Sequence, residues 1–222
     1  PVYEDKELSA LLDQLDLGLD RAVVKRGGLV VEDVLSARLN QQLLNSFVPG
    51  FLFPWTDAAV AECRDDWLGW VKAGCSMMLR PNYLDCGHNF PIFYARRFGE
   101  EFNFAWTHGM MSTDYDALPG QYATQGLNHY VVARLSNRPG MPVHQVFAEF
   151  TAAFGPAAAA VERYFAVWER LSDSMTPEQL DEAAKTHGLS GRGSALYADF
   201  YLLAPALFRP DVLAEAGDIL LQ

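Results

Sequence analysis

The sequence predicts an α/β fold, a parallel sheet interleaved with helices and followed by a purely helical segment. Three observations lead there. Between Val48 and Leu135, short strand-like runs alternate with amphipathic helical patterns, and strand–helix–strand spacing of this kind makes βαβ units with parallel pairing. Beyond residue 139 no convincing strand occurs, while apolar residues recur at helical spacing. Half of the 222 residues are hydrophobic, enough to bury a substantial core. The expected division is an α/β part over residues 1–138 and a helical region over 139–222.

Taken in order, residues 1–48 read as helix-rich, with Leu8, Leu11, Leu12, Leu15 and Leu19 on one face and Gly28-Leu-Val-Val as a short strand. Phe51-Leu-Phe then opens the alternating region. It ends at Pro54-Trp-Thr-Asp, where Thr56 or Asp57 can cap a helix. That helix, Ala58–Ala73, lines up Val60, Trp67, Leu68 and Val71, and Gly74 stops it in the left-handed C′ role. The next strand is Cys75–Arg80, followed by a polar loop over 81–89. Pro91 is placed in the first turn of a helix that runs to His108 and stops at Gly109. Met110–Asp116 is the third strand. A loop rich in Gly, Pro and Gln leads to a helix over Leu127–Leu135.

The helical region divides as readily. Val143–Phe154 ends at Gly155-Pro156, and Ala157–Leu171 carries Val161, Tyr164, Phe165 and Trp168 on one face. Thr176-Pro-Glu-Gln is a capping box with proline at the first helical position. Leu196–Phe208 is strongly apolar and interrupted by Pro205. In the last stretch Val212, Leu213, Ala216, Ile219 and Leu220 keep helical spacing up to Gln222 without a cap, and the chain opens at Pro1 rather than Met. Both ends therefore read as cuts in a longer protein.

Charge narrows the partners. The formal net charge is −11, from 28 acidic and 17 basic residues. Lys25-Arg26 and Arg96-Arg97 are isolated basic pairs, so no basic stripe of the kind that nucleic acid requires is present. No run of about eighteen apolar residues exists to span a membrane, and no basic-then-apolar leader is visible. Cys63, Cys75 and Cys86 lack the paired spacing of a zinc site. No metal is expected, and no cofactor either: Gly191-Arg-Gly is too short for a dinucleotide loop, and neither a Walker pattern nor a Gly-x-Ser-x-Gly elbow occurs.

In a parallel sheet, functional residues gather at the C-terminal ends of strands and in the loops that follow. The first such loop offers Trp55. The second packs Asn82, Tyr83, Asp85, His88 and Asn89 into eight residues, and the third brings Asp114, Tyr115 and Asp116, then Gln125. Carboxylates, amides and imidazole hydrogen-bond sugar hydroxyls, and aromatic faces cover the apolar patches of a pyranose. Asp114 and Asp116 stand two apart at a strand end and project to one face. They are the candidate catalytic carboxylates, a pair able to divide into acid and base if their environments differ; a turn and helix cap is the competing reading. His88 is equally consistent with capping the helix after it. Trp55, Asn82, Tyr83, Asp85, His88, Asn89, Tyr115 and Gln125 are the candidate substrate-binding residues. His108, His129 and Trp106 read as structural, and His144 and His187 as surface residues.

The run Leu79-Arg-Pro-Asn-Tyr-Leu-Asp-Cys-Gly-His-Asn-Phe-Pro-Ile-Phe-Tyr-Ala-Arg-Arg-Phe-Gly resembles a family of bacterial glycoside-hydrolase-like domains of unknown function. The segment from Gly109 to Leu135, above all Gly-Leu-Asn-His-Tyr-Val-Val-Ala-Arg-Leu, and Phe147–Trp168 share the resemblance, which covers roughly residues 48–170. Those proteins look like distant relatives of β-hexosaminidases and α-glucuronidases. The resemblance implies the closing part of a (β/α)₈ TIM-like barrel followed by an α-helical segment. It further implies a carbohydrate substrate, hydrolysis of glycosidic bonds and an extracellular or periplasmic location. The Asp-Glu dipeptide of the hexosaminidases is absent, since Glu32-Asp33 is reversed and lies outside the matched region; no catalytic residue is carried over from them. A carbohydrate-binding or scaffolding barrel without chemistry is the alternative. A third reading is an oligomer contact through Trp168, Tyr197, Phe200 and Tyr201.

Overall fold

A computed structural model describes residues 24–25, 28–29, 44–50, 53–85, 90–116, 118, 120–189 and 200–221. Two short strands, β1 (Val24–Lys25) and β2 (Gly28–Leu29), pair antiparallel. The main sheet is parallel, with β3 (Leu44–Phe47), β4 (Ser76–Leu79) and β5 (Met110–Thr113) in chain order and β4 in the centre. Helix α1 (Asp57–Lys72) connects β3 to β4, and α2 (Ala95–Thr107) connects β4 to β5. After β5 the elements among the described residues are helical: α3 (Tyr122–Asn137), α4 (Val143–Ala152), α5 (Ala158–Ser174), α6 (Pro177–Thr186), α7 (Phe200–Leu207) and α8 (Pro210–Leu220). The α/β alternation and the helical C-terminal part are thus as the sequence predicts. Among the described residues the sheet is open, with three strands and no barrel closure. No helix among them is long and apolar enough to cross a membrane.

Besides α3, which begins at Tyr122 rather than at the predicted Leu127 and so takes in Gln125, two boundaries differ from expectation. The predicted strand over 51–53 falls for its first two residues outside the described ones; the first described strand of the main sheet is Leu44–Phe47. It pairs residue for residue with Ser76–Leu79, and Phe47 meets Trp67 of α1 edge to face at 5.4 Å. Second, Pro91 does not open a helix; α2 begins at Ala95. Its cap comes from far along the chain, because Asn128 Oδ1 accepts from the N–H groups of Tyr94 and Ala95 at 3.1 and 2.9 Å. Elsewhere local chemistry acts as read. Thr56 Oγ1 accepts from Ala59 N–H at the start of α1, and Thr176 and Gln179 form a reciprocal capping box. Gly74 and Gly109 stand at φ 90° and 86° where α1 and α2 turn back toward the sheet.

Register fixes two faces. Phe47, Met77, Leu79 and Met110 lie on one, and the last three are buried. Leu44, Ser46, Ser76, Met78 and Ser112 lie on the other, all exposed or half-buried. A register shift between Met77 and Met78 leaves Met111 outside the ladder, and this residue is 71% exposed. The closed face continues into one apolar core that runs from Phe53 and Trp67 through Phe98, Val131 and Phe150 to Trp168, Leu203 and Ala216. Phe93 ties the two parts together, donating its N–H to Ser172 Oγ on α5 at 2.8 Å and packing edge-on to Phe147 of α4.

Candidate functional site

The C-terminal ends of β4 and β5 meet in a charged cluster. Arg80 follows β4 and continues its ladder, donating its N–H to Phe47 O at 2.8 Å, while Asp114 N–H donates to Leu79 O at 3.0 Å. Alternation puts Arg80 on the open face with Met78, and Asp114 and Asp116 on that same face with Ser112. There one guanidinium holds both carboxylates. Arg80 Nη1 donates to Asp114 Oδ2 at 2.7 Å and Nη2 to Asp116 Oδ1 at 2.5 Å. Arg80 Nε donates to Asn82 Oδ1 at 3.4 Å. The three charged side chains keep 31, 44 and 52% of their surface in solvent, in the order Arg80, Asp114, Asp116. Salt-bridge energy at such exposure is small, so the geometry leaves the group accessible rather than locked into the core. The Ser112 hydroxyl, two residues before Asp114 on the same face, is buried and has no hydrogen-bond partner among the described residues.

Tyr115, between the two aspartates, points the other way. Its hydroxyl meets Ser136 Oγ of α3 at 2.6 Å and its ring lies near Phe98, which pins β5 to the helices. Burial pushes its phenol above the ordinary range, opposed by the hydrogen bonds to Ser136 and Thr113. Gln125 also belongs to the frame. It is 1% exposed; its Nε2 donates to Phe90 O at 2.5 Å, and its Oε1 accepts from Asn128 Nδ2. Both ends of the amide are thereby engaged by protein. Trp55 is half-buried and packs edge-on to Phe53 at 5.2 Å. Tyr83 and Asp85 contribute backbone to a 3₁₀ turn, Asn82–Asp85; their side chains lie outside the described residues, as do His88 and Asn89.

Of the predicted site residues, the structure therefore brings together Asp114, Asp116 and Asn82, and it turns Tyr115 and Gln125 inward. Arg80, the residue that organises the group, was not among the candidates. Its signal was available: a basic residue at the end of the central strand, beside a strand ending in two acids. The carboxylates are neighbours on one fork rather than walls on either side of a cleft, so a glycosidase-type acid and base pair would need one member from elsewhere.

Among the described residues no group of three His, Cys, Asp or Glu is placed to hold a metal ion. A small cleft with about 20 Å³ of free space lies between Phe47, Pro49, Cys63, Arg64, Glu101 and Phe104, room for one water. Its charges are spent on each other: the buried Glu101 takes a two-pronged bond from Arg64 at 2.6 and 3.0 Å. No protein-family model, curated protein or solved structure matches this chain.

Proposed function

We propose that the chain belongs to a carbohydrate-active protein that hydrolyses glycosidic bonds, and that it supplies part of the substrate-binding rim of a (β/α)₈ barrel. The observation that carries this reading is the Arg80–Asp114–Asp116 cluster, accessible at the C-terminal end of a parallel sheet, where α/β folds bind their ligands. Neighbours in the sheet follow chain order, as they do round a barrel, and the cluster stands on the open face that a barrel would turn to its interior. The resemblance of residues 48–170 to glycoside-hydrolase-like domains supports the substrate class. In this reading Asp114 or Asp116 provides one catalytic carboxylate, Asn82 assists in binding, and the partner carboxylate comes from another strand.

The test is hydrolysis of a panel of polysaccharides, followed as release of reducing ends. Asp114→Asn and Asp116→Asn are expected to lower the rate on the order of 10²-fold or more at the catalytic position. Unchanged hydrolysis by both variants removes the catalytic assignment. One observation favours a second reading, a carbohydrate-binding domain without chemistry: a single guanidinium bonds both carboxylates. Glycan affinity without turnover would select it.

A further inference from the structure

The hydrogen-bonding capacity left over in the cluster specifies a ligand more narrowly than the word carbohydrate does. Arg80 has five N–H donors, and the recorded bonds use one each on Nε, Nη1 and Nη2. One N–H on each terminal nitrogen has no partner among the described residues. Asp114 is bonded through Oδ2 and Asp116 through Oδ1, so each keeps one oxygen without a partner among the described residues. Two acceptors thus stand beside two donors, all at a solvent-accessible edge. A pair of neighbouring hydroxyls fits this array, since each hydroxyl both donates and accepts. An acidic group does not, because it has only acceptors to offer and would face two carboxylate oxygens. The formal charge of the three side chains is one positive against two negative, within a chain of net charge −11. The like-charge cost therefore falls on an anionic ligand.

Resting on the carbohydrate reading above, we propose that Arg80 is the specificity-determining residue of this site. It holds Asp114 and Asp116 as a paired acceptor for an uncharged vicinal diol, and its own positive charge is thereby withheld from sugar acids. The site selects neutral sugar units and rejects uronates. Arg80 sets position and charge and offers its two remaining N–H groups to the hydroxyls, while the aspartates supply the acceptors.

The experiment is calorimetric binding of matched oligosaccharides of equal length to the full chain: glucose-, mannose- and galactose-based against glucuronate-, mannuronate- and galacturonate-based. The wild-type protein is expected to bind a neutral member on the order of tenfold or more tighter than its acidic counterpart, the scale of a hydrogen bond to a charged group. The double variant Asp114→Asn/Asp116→Asn changes the cluster from one surplus negative charge to one positive. It should lose affinity for the neutral sugar and gain it for the acid, a reversal that a merely structural role does not produce. Asp116→Asn alone, at the more exposed position, should lie between the two and guards against misfolding of the double variant; melting temperature checks the fold of each. Equal or tighter wild-type binding of the acidic series overturns the selectivity and leaves the carbohydrate reading standing. So does neutral binding that the aspartate variants fail to move. No binding of either series by folded wild-type protein overturns both.

Discussion

Asn128 makes four hydrogen bonds at 1% exposure, and each holds a different piece of the fold. Its oxygen receives the N–H groups of Tyr94 and Ala95, and its amide donates to Ile92 O at 2.8 Å and to Gln125 Oε1. A buried amide so satisfied is expensive to remove, since each orphaned backbone group retains its desolvation cost. Asn128→Ala is expected to lower stability by roughly 2–4 kcal/mol. Asn128→Leu, which restores the volume, should do no better. Urea unfolding with an unchanged slope measures both, and recovery in the leucine variant would mean that packing rather than hydrogen bonding is at stake. This residue sits inside the Gly-Leu-Asn stretch that stood out in the sequence, yet its role was not legible there. Nothing local to Asn128 says that three of its four partners lie more than thirty residues upstream. The same holds for Gln125, which the sequence reads as part of a loop and the structure places, buried, in the first turn of α3. The aspartates were legible because a separation of two on a strand decides their common side without tertiary information.

At the scale of elements, helix ends written in adjacent residues were predictable. Thr56, Gly74, Gly109 and the Thr176–Gln179 box all act within one turn of where they stand. The start of α2 was not, because its cap is supplied by another helix. The contact of α2 with α4 is equally nonlocal and rests on Gly99. A Cβ there would come within 2.6 Å of Val143 Cγ2 and 3.4 Å of Leu135 Cδ1. Gly99→Ala therefore asks a close-packed junction to give way, and overpacking of this kind costs about 1–3 kcal/mol against the modest gain of alanine in a helix interior. Val143→Ala in the same chain should return part of the loss. A double-mutant cycle by thermal or urea unfolding reads the coupling, and additive effects would mean the helices move apart instead of clashing.

Across the whole molecule, the sheet part and the helical part share one core. Phe90, between them, stacks on Phe208 at 5.5 Å and meets Phe200 at 5.2 Å, and Phe150 of α4 lies against Tyr130 of α3. A contiguous core of this kind melts as a unit. A single cooperative transition is expected for the chain, with far-UV and near-UV circular dichroism changing together. Two separated transitions would show that residues 139–222 fold on their own account. The order of strands and helices was legible from periodicity alone. The position of the first strand was not: Leu44-Asn-Ser-Phe is too short and too polar to announce itself, and only pairing with β4 makes it a strand.

The extra residue in β5 works as a parity switch. Counting straight along the ladder from the pair Met77–Met110, an unbroken register would set Met111, Thr113 and Tyr115 beside Met78 and Arg80, and would send both aspartates toward the helices. Met111 adds one to the count. Every later residue of the strand changes sides, so the acids arrive where the guanidinium is and the tyrosine arrives at Ser136. With Met111 deleted, Ser112, Thr113 and Asp114 would follow Met110 against Met78, Leu79 and Arg80 in unbroken register, so the meeting survives one residue more only because the ladder sets that residue aside. The chemistry of the rim thus rests on the bulge as much as on the side chains: the same residues paired straight on from Met110 would turn both acids away from Arg80.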